Sequence, residues 1–293
     1  MVTTLFTTNS ATPLPPQALL VFVKSPYSSG TQLQLISLAA NDLEFIPDIF
    51  KDVSDTILYI GMEDNSVSTL AVTPFEELVH VRHVNLSSNP ITFIEPGAFA
   101  DCVSLYYLEL HSLALTEIQE MAFANIPNLK YLSLYNTPSL VGLQGRALYN
   151  LPFLSVLLLQ FCNIEHIDYR SLDTVTDLQY LNLDSNALVE FPHVMLLHAQ
   201  LVNLRVLNLN KNNIRDLTLI TTQDFDKRTL IIEGRYNTLY HANASLFTLQ
   251  SLYYMDISNN KIVEIPDYFF TALKRYVVSR GRLFFFIIIT SYG

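Results

Sequence analysis

The sequence predicts an α/β repeat solenoid, with a parallel β-sheet along one face and irregular, 3-10 or short helical returns along the other. Three observations predict it. The apolar template L-x-x-L-x-L-x-x-N-x-L recurs along the chain, starting at Leu33, Ile57, Val81, Leu105, Leu129, Leu154, Leu178, Leu204, Thr229 and Leu252. The steps between copies are 24, 24, 24, 24, 25, 24, 26, 25 and 23 residues, and so regular a period marks a repeat array. Within each copy, apolar residues at template positions four and six alternate with more polar ones, as in Leu181-Asn182-Leu183. That period of two belongs to a short strand buried on one face. Prolines supply the third observation. None falls within the ten expected strands, where each would remove a ladder hydrogen bond. They stand in the returns instead: Pro47, Pro192 and Pro266 after the second core residue, Pro127 and Pro152 just before the next strand.

Each copy can be read as one turn of a coil. The clearest are "VRHVNLSSNPI" from Val81 and "LQYLNLDSNAL" from Leu178. The weakest, "TLIIEGRYNTL", keeps Ile232, Asn237 and Leu239. A single such strand cannot bury its apolar face. Copies stacked side by side make one continuous core. The returns add to it through Ile94 and Phe99, Ile118 and Phe123, and Ile265 and Phe270. Each such side chain contributes about 1.5–3 kcal/mol when buried.

Position nine is polar in a setting that is otherwise apolar. It holds Asn41, Asn65, Asn89, Asn186, Asn212, Asn237 and Asn260. An unsatisfied buried amide group costs roughly 1–3 kcal/mol, so these residues need fixed backbone partners. Stacking puts them in a row at the turn leaving the sheet, where an amide can both donate and accept. Leu113, Thr137 and Cys162 interrupt the row, and at Leu113 a local rearrangement or a water is expected. Cys162 and Cys102 are read as small residues of the stack and as free thiols. They belong to separate repeats, beyond the ~7 Å Cα separation that a disulfide tolerates.

The template, its 24-residue length and the Phe of the return resemble the leucine-rich repeat family, over about residues 33–275. The units are similar to its "typical" class, found in secreted matrix proteins, Toll-type receptor ectodomains and arthropod leucine-rich immune proteins. The resemblance implies a right-handed, curved horseshoe with the sheet on its concave face. It also implies an extracellular or cell-surface setting and a recognition role. The chain then divides into a degenerate N-terminal repeat or cap (1–32), a solenoid of about ten repeats (33–275) and an atypical apolar tail (276–293).

Strand side chains alternate, so template positions three, five and seven face outward and stacking turns each into a column. The third carries Tyr59, His83, Tyr107, Tyr131, Tyr180 and Tyr254, and the fifth Glu109, Asn208, Glu233 and Asp256. The seventh carries His111, Tyr135, Asp184 and Arg235, with Glu63 also acidic. Tyrosine suits interfaces because it combines large apolar area, few rotors and a polar tip. It is also a good strand former that tolerates exposure. Five tyrosines in one column beside acidic positions favour a binding face. These residues are the expected ligand-binding set, and the expected ligand is a protein with a polar or basic surface. A glycan or a microbial ligand is the alternative, and a homo- or heterodimer is left open.

Other chemistry finds little support. With 17 basic and 27 acidic residues the net charge is −10, which argues against nucleic acid and anionic membrane as partners. No phosphate-binding, dinucleotide, nucleophile-elbow or zinc-protease motif occurs, and the chain is expected to be no enzyme and to hold no cofactor or metal. "HVRH" (His80, His83) resembles a metal pair, but residues three apart on a strand face opposite sides. His83, Glu109 and His111 could meet across adjacent strands, which a solvated strand face explains as well. Two glycosylation triplets occur, at Asn85 and Asn243, and a glycan on Asn85 would cover part of the expected face.

The ends depart from the template. "FTTNSATPLP" matches an earlier repeat by spacing through Phe6, Asn9, Leu14 and Pro15. The apolar run Ala18 to Val23 is shorter than a signal-peptide core, and Leu283 to Ile289 is far short of the ~20 residues of a membrane span. "RLFFFIIITSYG" reads as a capping strand, the start of an anchor, or an unrelated tail. The chain is expected to be a fragment or incomplete product of a longer secreted or membrane protein. Two functions stand: a ligand-binding region of an extracellular or cell-surface protein, and an intracellular (cytoplasmic) scaffold or enzyme regulator.

Overall fold

The computed structural model describes residues 21–24, 33–199, 201, 203–216, 230–241, 252–271, 273 and 286–290. One 12-stranded sheet runs through them in chain order. Its strands are β1 (Val21–Lys24), β2 (Leu33–Ser37), β3 (Tyr59–Gly61), β4 (His83–Asn85), β5 (Tyr107–Glu109) and β6 (Tyr131–Ser133). They continue as β7 (Val156–Leu158), β8 (Tyr180–Asn182), β9 (Val206–Asn208), β10 (Leu230–Glu233), β11 (Leu252–Asp256) and β12 (Phe286–Ile288). Strands β2 to β11 are the ten expected from the template, and all pair in parallel.

The register follows the template. Leu35, Tyr59, His83, Tyr107, Tyr131, Val156, Tyr180, Val206, Ile231 and Tyr254 are successive Cα partners across the sheet. The position-four file, including Ile60, Leu132, Leu181 and Leu207, is buried along its length. Leu181 and Leu207 lie side by side as direct partners. Among strands β2 to β11 the register shifts between Leu230 and Ile231, where β11 carries an extra residue opposite, and a second shift lies in β1 between Val23 and Lys24.

The returns are mixed. A 3-10 helix spans Asp48–Val53, and helix α1 spans His193–His198. Between them short strands form a second, parallel ladder: Glu117–Ile118, Gly142–Leu143 and His166–Ile167. There both sides of the coil advance by the same ~4.8 Å strand spacing. Buried Phe75, Phe99 and Phe123 stack from repeat to repeat, with ring centroids 4.7 and 6.5 Å apart. One hydrophobic cluster runs from Ile36 to Phe269.

The asparagine row forms as the spacing predicts. Each of Asn65, Asn89, Asn186, Asn212, Asn237 and Asn260 accepts, through Oδ1, a backbone N–H from the repeat before it. Each Nδ2 donates to carbonyls of its own turn and of the preceding one, as Asn212 does to Leu209, Asn210 and Leu183. Asn41 donates within its own turn, to Leu38 and Ala39. Where the row breaks, Thr137 Oγ1 accepts the Leu113 N–H at 3.3 Å, and the Cys162 thiol donates to the Leu134 carbonyl. Leu113 is buried in the core, and β4, β5 and β6 pair through this stretch without a shift.

Four features lie outside what the template specifies. The residue before the row is left-handed in every copy: Ala40, Asp64, Ser88, Ser112, Asn136, Phe161, Ser185, Lys211, Tyr236 and Asn259. Near the end, Phe269 is buried and Phe270 is 54% exposed, because the helical turn at 267–271 points the earlier residue inward. Beyond it the chain rejoins the sheet. β12 pairs with β11 in parallel, Tyr254 opposite Phe286. At the other end β1 pairs antiparallel with β2, so it is no further turn of the coil. Phe6, Asn9, Leu14, Pro15, Thr229 and Asn243 lie outside the described residues.

Candidate recognition face

The outward positions of β3 to β6 bring aromatic rings into contact. Parallel pairing in register places Tyr59, His83, Tyr107 and Tyr131 on four neighbouring strands. Tyr59 meets His83 edge-on with centroids 4.8 Å apart, His83 meets Tyr107 at 5.6 Å, and Tyr107 meets Tyr131 at 5.7 Å. Tyr107 is exposed and the other three are half-buried. One column over, the His111 ring stacks on Tyr135 at 4.5 Å.

The aromatic file does not run the length of the sheet. Val156 separates Tyr180 from Tyr131, and Val206 and Ile231 separate Tyr180 from Tyr254. Tyr180 and Tyr254 therefore stand apart from the contiguous group. The hydroxyls of Tyr59, Tyr131, Tyr180 and Tyr254 remain protonated at neutral pH. Burial first, then the charges of Glu63 and Glu109, pushes Tyr59 up, while a bond from Asn85 opposes them. Burial likewise raises Tyr131, Tyr180 and Tyr254, with Glu233 adding at Tyr180 and Asp256 at Tyr254.

The acidic residues fall into two groups. Toward the C-terminal end they are engaged within the sheet. Asp256 is buried, accepts from the Tyr254 hydroxyl at 3.1 Å and from the Ser258 amide, and lies 2.9 Å from Arg235 Nε. Glu233 accepts from Asn210 Nδ2, and Asp184 from the Ser185 hydroxyl. Asn208 is tied to the Asn210 amide. Asp256 and Asn208 thus hold the turn together at least as much as they face outward. In the N-terminal half, Glu109 Oε1 lies 2.8 Å from His83 Nε2, and Glu63 Oε2 is a buried atom with no hydrogen-bond partner.

His83 and Glu109 meet as the sequence suggests, whereas His111 turns to Tyr135 and to the Ser112 hydroxyl at 3.2 Å. Among the described residues no group of three or more His, Cys, Asp or Glu side chains is arranged to hold a metal. Of the two glycosylation triplets, Asn85 is half-buried on β4 with its Oδ1 on the Ser87 amide. Ser87 is buried, and its hydroxyl accepts the His111 amide. The template could not reveal the return side. There, at the step from the short-strand ladder to α1, a recess of about 550 Å3 is lined by His166, Tyr169, Phe191 and Met195 among others. No described helix is long and apolar enough to cross a membrane.

The family model described as leucine rich repeat matches residues 58–113 and 103–164. Over residues 58–164 the chain carries leucine-rich repeats. Mouse lumican is 31% identical over 152 residues, which amount to 45% of this chain and 45% of lumican. Human lumican is 30% identical over 136 residues, 40% of each chain. The matched region thus spans less than half the length of these relatives. Two solved folds extend the likeness over most of the repeats. A chain of the Drosophila Toll–Spatzle complex in its glycosylated form superposes with a TM-score of 0.66 at 22% identity, over 82% of this chain and 32% of that one. Human 5T4, a trophoblast glycoprotein, gives 0.51 at 22% identity, over 77% of both chains. At those identities the likeness is one of fold. The leucine-rich repeat solenoid resembles the Toll-type array, as its repeat length implies.

Proposed function

We propose that this leucine-rich repeat protein is a non-catalytic recognition module that binds a protein through the exposed face of its sheet. The observation that carries the reading is the contiguous ring run Tyr59–His83–Tyr107–Tyr131, part-exposed on strands whose inward residues Ile60, Val84, Leu108 and Leu132 are fully buried. Rigid aromatic side chains supply contact area at small entropic cost. The fold likeness to a chain of the Toll–Spatzle complex, a hub in Drosophila development and innate immunity, supports a protein ligand and an extracellular or cell-surface setting. In this reading a glycan or microbial ligand is secondary. Asp184, Asn208, Glu233, Arg235 and Asp256 frame the far end of the face.

The reading is tested by photo-crosslinking. A photoreactive residue at position 107 is compared with one at Val263, which is 81% exposed in the last return. A protein crosslinked from position 107, absent at 263 and lost in a Tyr59, Tyr107 and Tyr131 triple-alanine background (the photoreactive group then at Glu109), supports it. Equal capture from both positions overturns it. Two buried or half-buried free thiols accommodate the intracellular scaffold as the second reading. Glycan occupancy at Asn85 or Asn243 excludes that second reading.

A further inference from the structure

We infer that the partner is a basic protein segment whose arginine or lysine side chains lie on the Tyr59–His83–Tyr107–Tyr131 run and pair with Glu63 and Glu109. This rests on the reading that the sheet face binds protein, and it names the chemistry of that protein. The argument begins with charge. The outward positions of β3 to β6 and the turns that follow them hold Glu63 and Glu109 and no lysine or arginine. Asp64 follows directly in the β3 turn.

Engagement separates these carboxylates from the others. Asp256 has Arg235 and the Tyr254 hydroxyl, Glu233 has Asn210, and Asp184 has Ser185. Glu63 Oε2 is enclosed without a partner while the residue as a whole is half-buried, so a cation meets this carboxylate from its open side, and Glu109 has a neutralising neighbour only when His83 is protonated. A carboxylate left unpaired within a half-buried face is a costly arrangement that an incoming cation relieves. The charges of Glu63 and Glu109 also act on the Tyr59 hydroxyl.

The rings supply the second half of the fit. Their planes are tilted 46–82° to one another, and Tyr107, which also meets Tyr106, is 43% exposed. A cation over an open tyrosine face gains about 0.5–1 kcal/mol or more as it loses water. The run crosses three strand spacings, about 14 Å, enough for two or three alternate side chains of an extended segment. Arginine fits best, since its planar group can stack on a ring while forking onto a carboxylate.

The test uses the full chain and four fluorescent peptides of one length, carrying Arg, Lys, Gln or Glu at alternate positions, read by anisotropy. The Arg peptide is expected to bind tightest and the Glu peptide not at all. Tyr107→Ala and Glu109→Gln are each expected to weaken the Arg peptide at least about threefold, the size of one cation–π contact or exposed pair. Glu264→Gln, exposed in the last return, makes the same change in net charge and is expected to leave affinity unaltered. Equal losses from Glu109→Gln and Glu264→Gln would reduce the effect to bulk charge and overturn the inference. So would an Arg peptide indifferent to Tyr107→Ala, or no preference for Arg over Glu. Circular dichroism verifies folding, and Glu63→Gln provides a second variant with the same expected loss. Crosslinking from position 107 to a partner, without Arg-peptide binding, would sink this inference and leave the proposed function standing.

Discussion

Asn212 Oδ1 accepts the Leu188 amide proton at 3.1 Å, so a side chain of one repeat completes the backbone of the repeat before it. The same amide donates to Leu183, Leu209 and Asn210 carbonyls at 2.9, 3.2 and 3.2 Å. Truncation would orphan several buried backbone groups at once. Asn212→Ala is therefore expected to cost about 2–4 kcal/mol, at roughly 1–3 kcal/mol for each unsatisfied group. The measurement is a urea midpoint. Asn213→Ala, at the exposed neighbouring position, should leave it unchanged. Similar shifts for both would show that the row does not stabilise the coil.

Phe161 occupies the left-handed turn position with φ 57° and is 51% exposed. A bulky residue pays for that backbone without a compensating contact in the core. Asparagine visits the left-handed region more readily. Phe161→Asn is expected to raise stability by about 0.5–1 kcal/mol, seen as a higher melting temperature. Phe161→Val should lower it, because a β-branched side chain tolerates positive φ least. A gain from the valine variant would contradict the argument.

What the sequence displays follows from what its spacing can encode. Strands β2 to β11, their register and the asparagine row depend on one residue type at one interval, and all of these were legible. The left-handed turn was not, because backbone geometry set by the pairing around it imposes positive φ on Phe161, Lys211 and Tyr236 alike. No glycine announces it. Strand β12 was legible only as one of three readings of the tail, because Phe286 pairs with Tyr254 across 32 residues, well off the period. Phe269 and Phe270 are adjacent and alike, so only the helical turn decides which is buried. Of the face, the columns were visible. The break at Val156 was visible too, but its consequence needed ring contacts, and the engaged state of Asp256 needed side-chain positions.

Cys102 is buried with its thiol pushed up to about 12, by burial first and then by the charge of Asp101. Burial raises Cys162 to about 11, against a backbone hydrogen bond at Thr137 that lowers it. The thiolate is the reactive form, so at pH ~8 at most about one Cys162 in a thousand is competent to react, and fewer at Cys102. Neither thiol is expected to react with an aromatic disulfide reagent in the folded chain. Rising denaturant should release Cys162 first, since it is only partly buried. Prompt native labelling of Cys102 would show that its repeat opens readily.

His111 gives the fold a pH dependence of known sign. Burial lowers its pKa below the usual 6.5, outweighing the opposite pull of Glu109, Asp64 and Glu63. Its ring also faces Tyr135 across the stack and the Ser112 hydroxyl. Above the unfolded value both states are neutral there, and the packed ring contributes in full. As pH falls below about 6.5, the unfolded chain takes up the proton before the folded one, so stability falls until the folded imidazole is charged as well. Other ionisable groups, His83 beside Glu109 among them, also contribute, so a variant must isolate the effect. Between about pH 7.5 and about pH 5, the melting temperature of the natural chain should drop more than that of His111→Asn. Parallel pH profiles for the two would mean that the imidazole at position 111 is no harder to charge when folded than when unfolded.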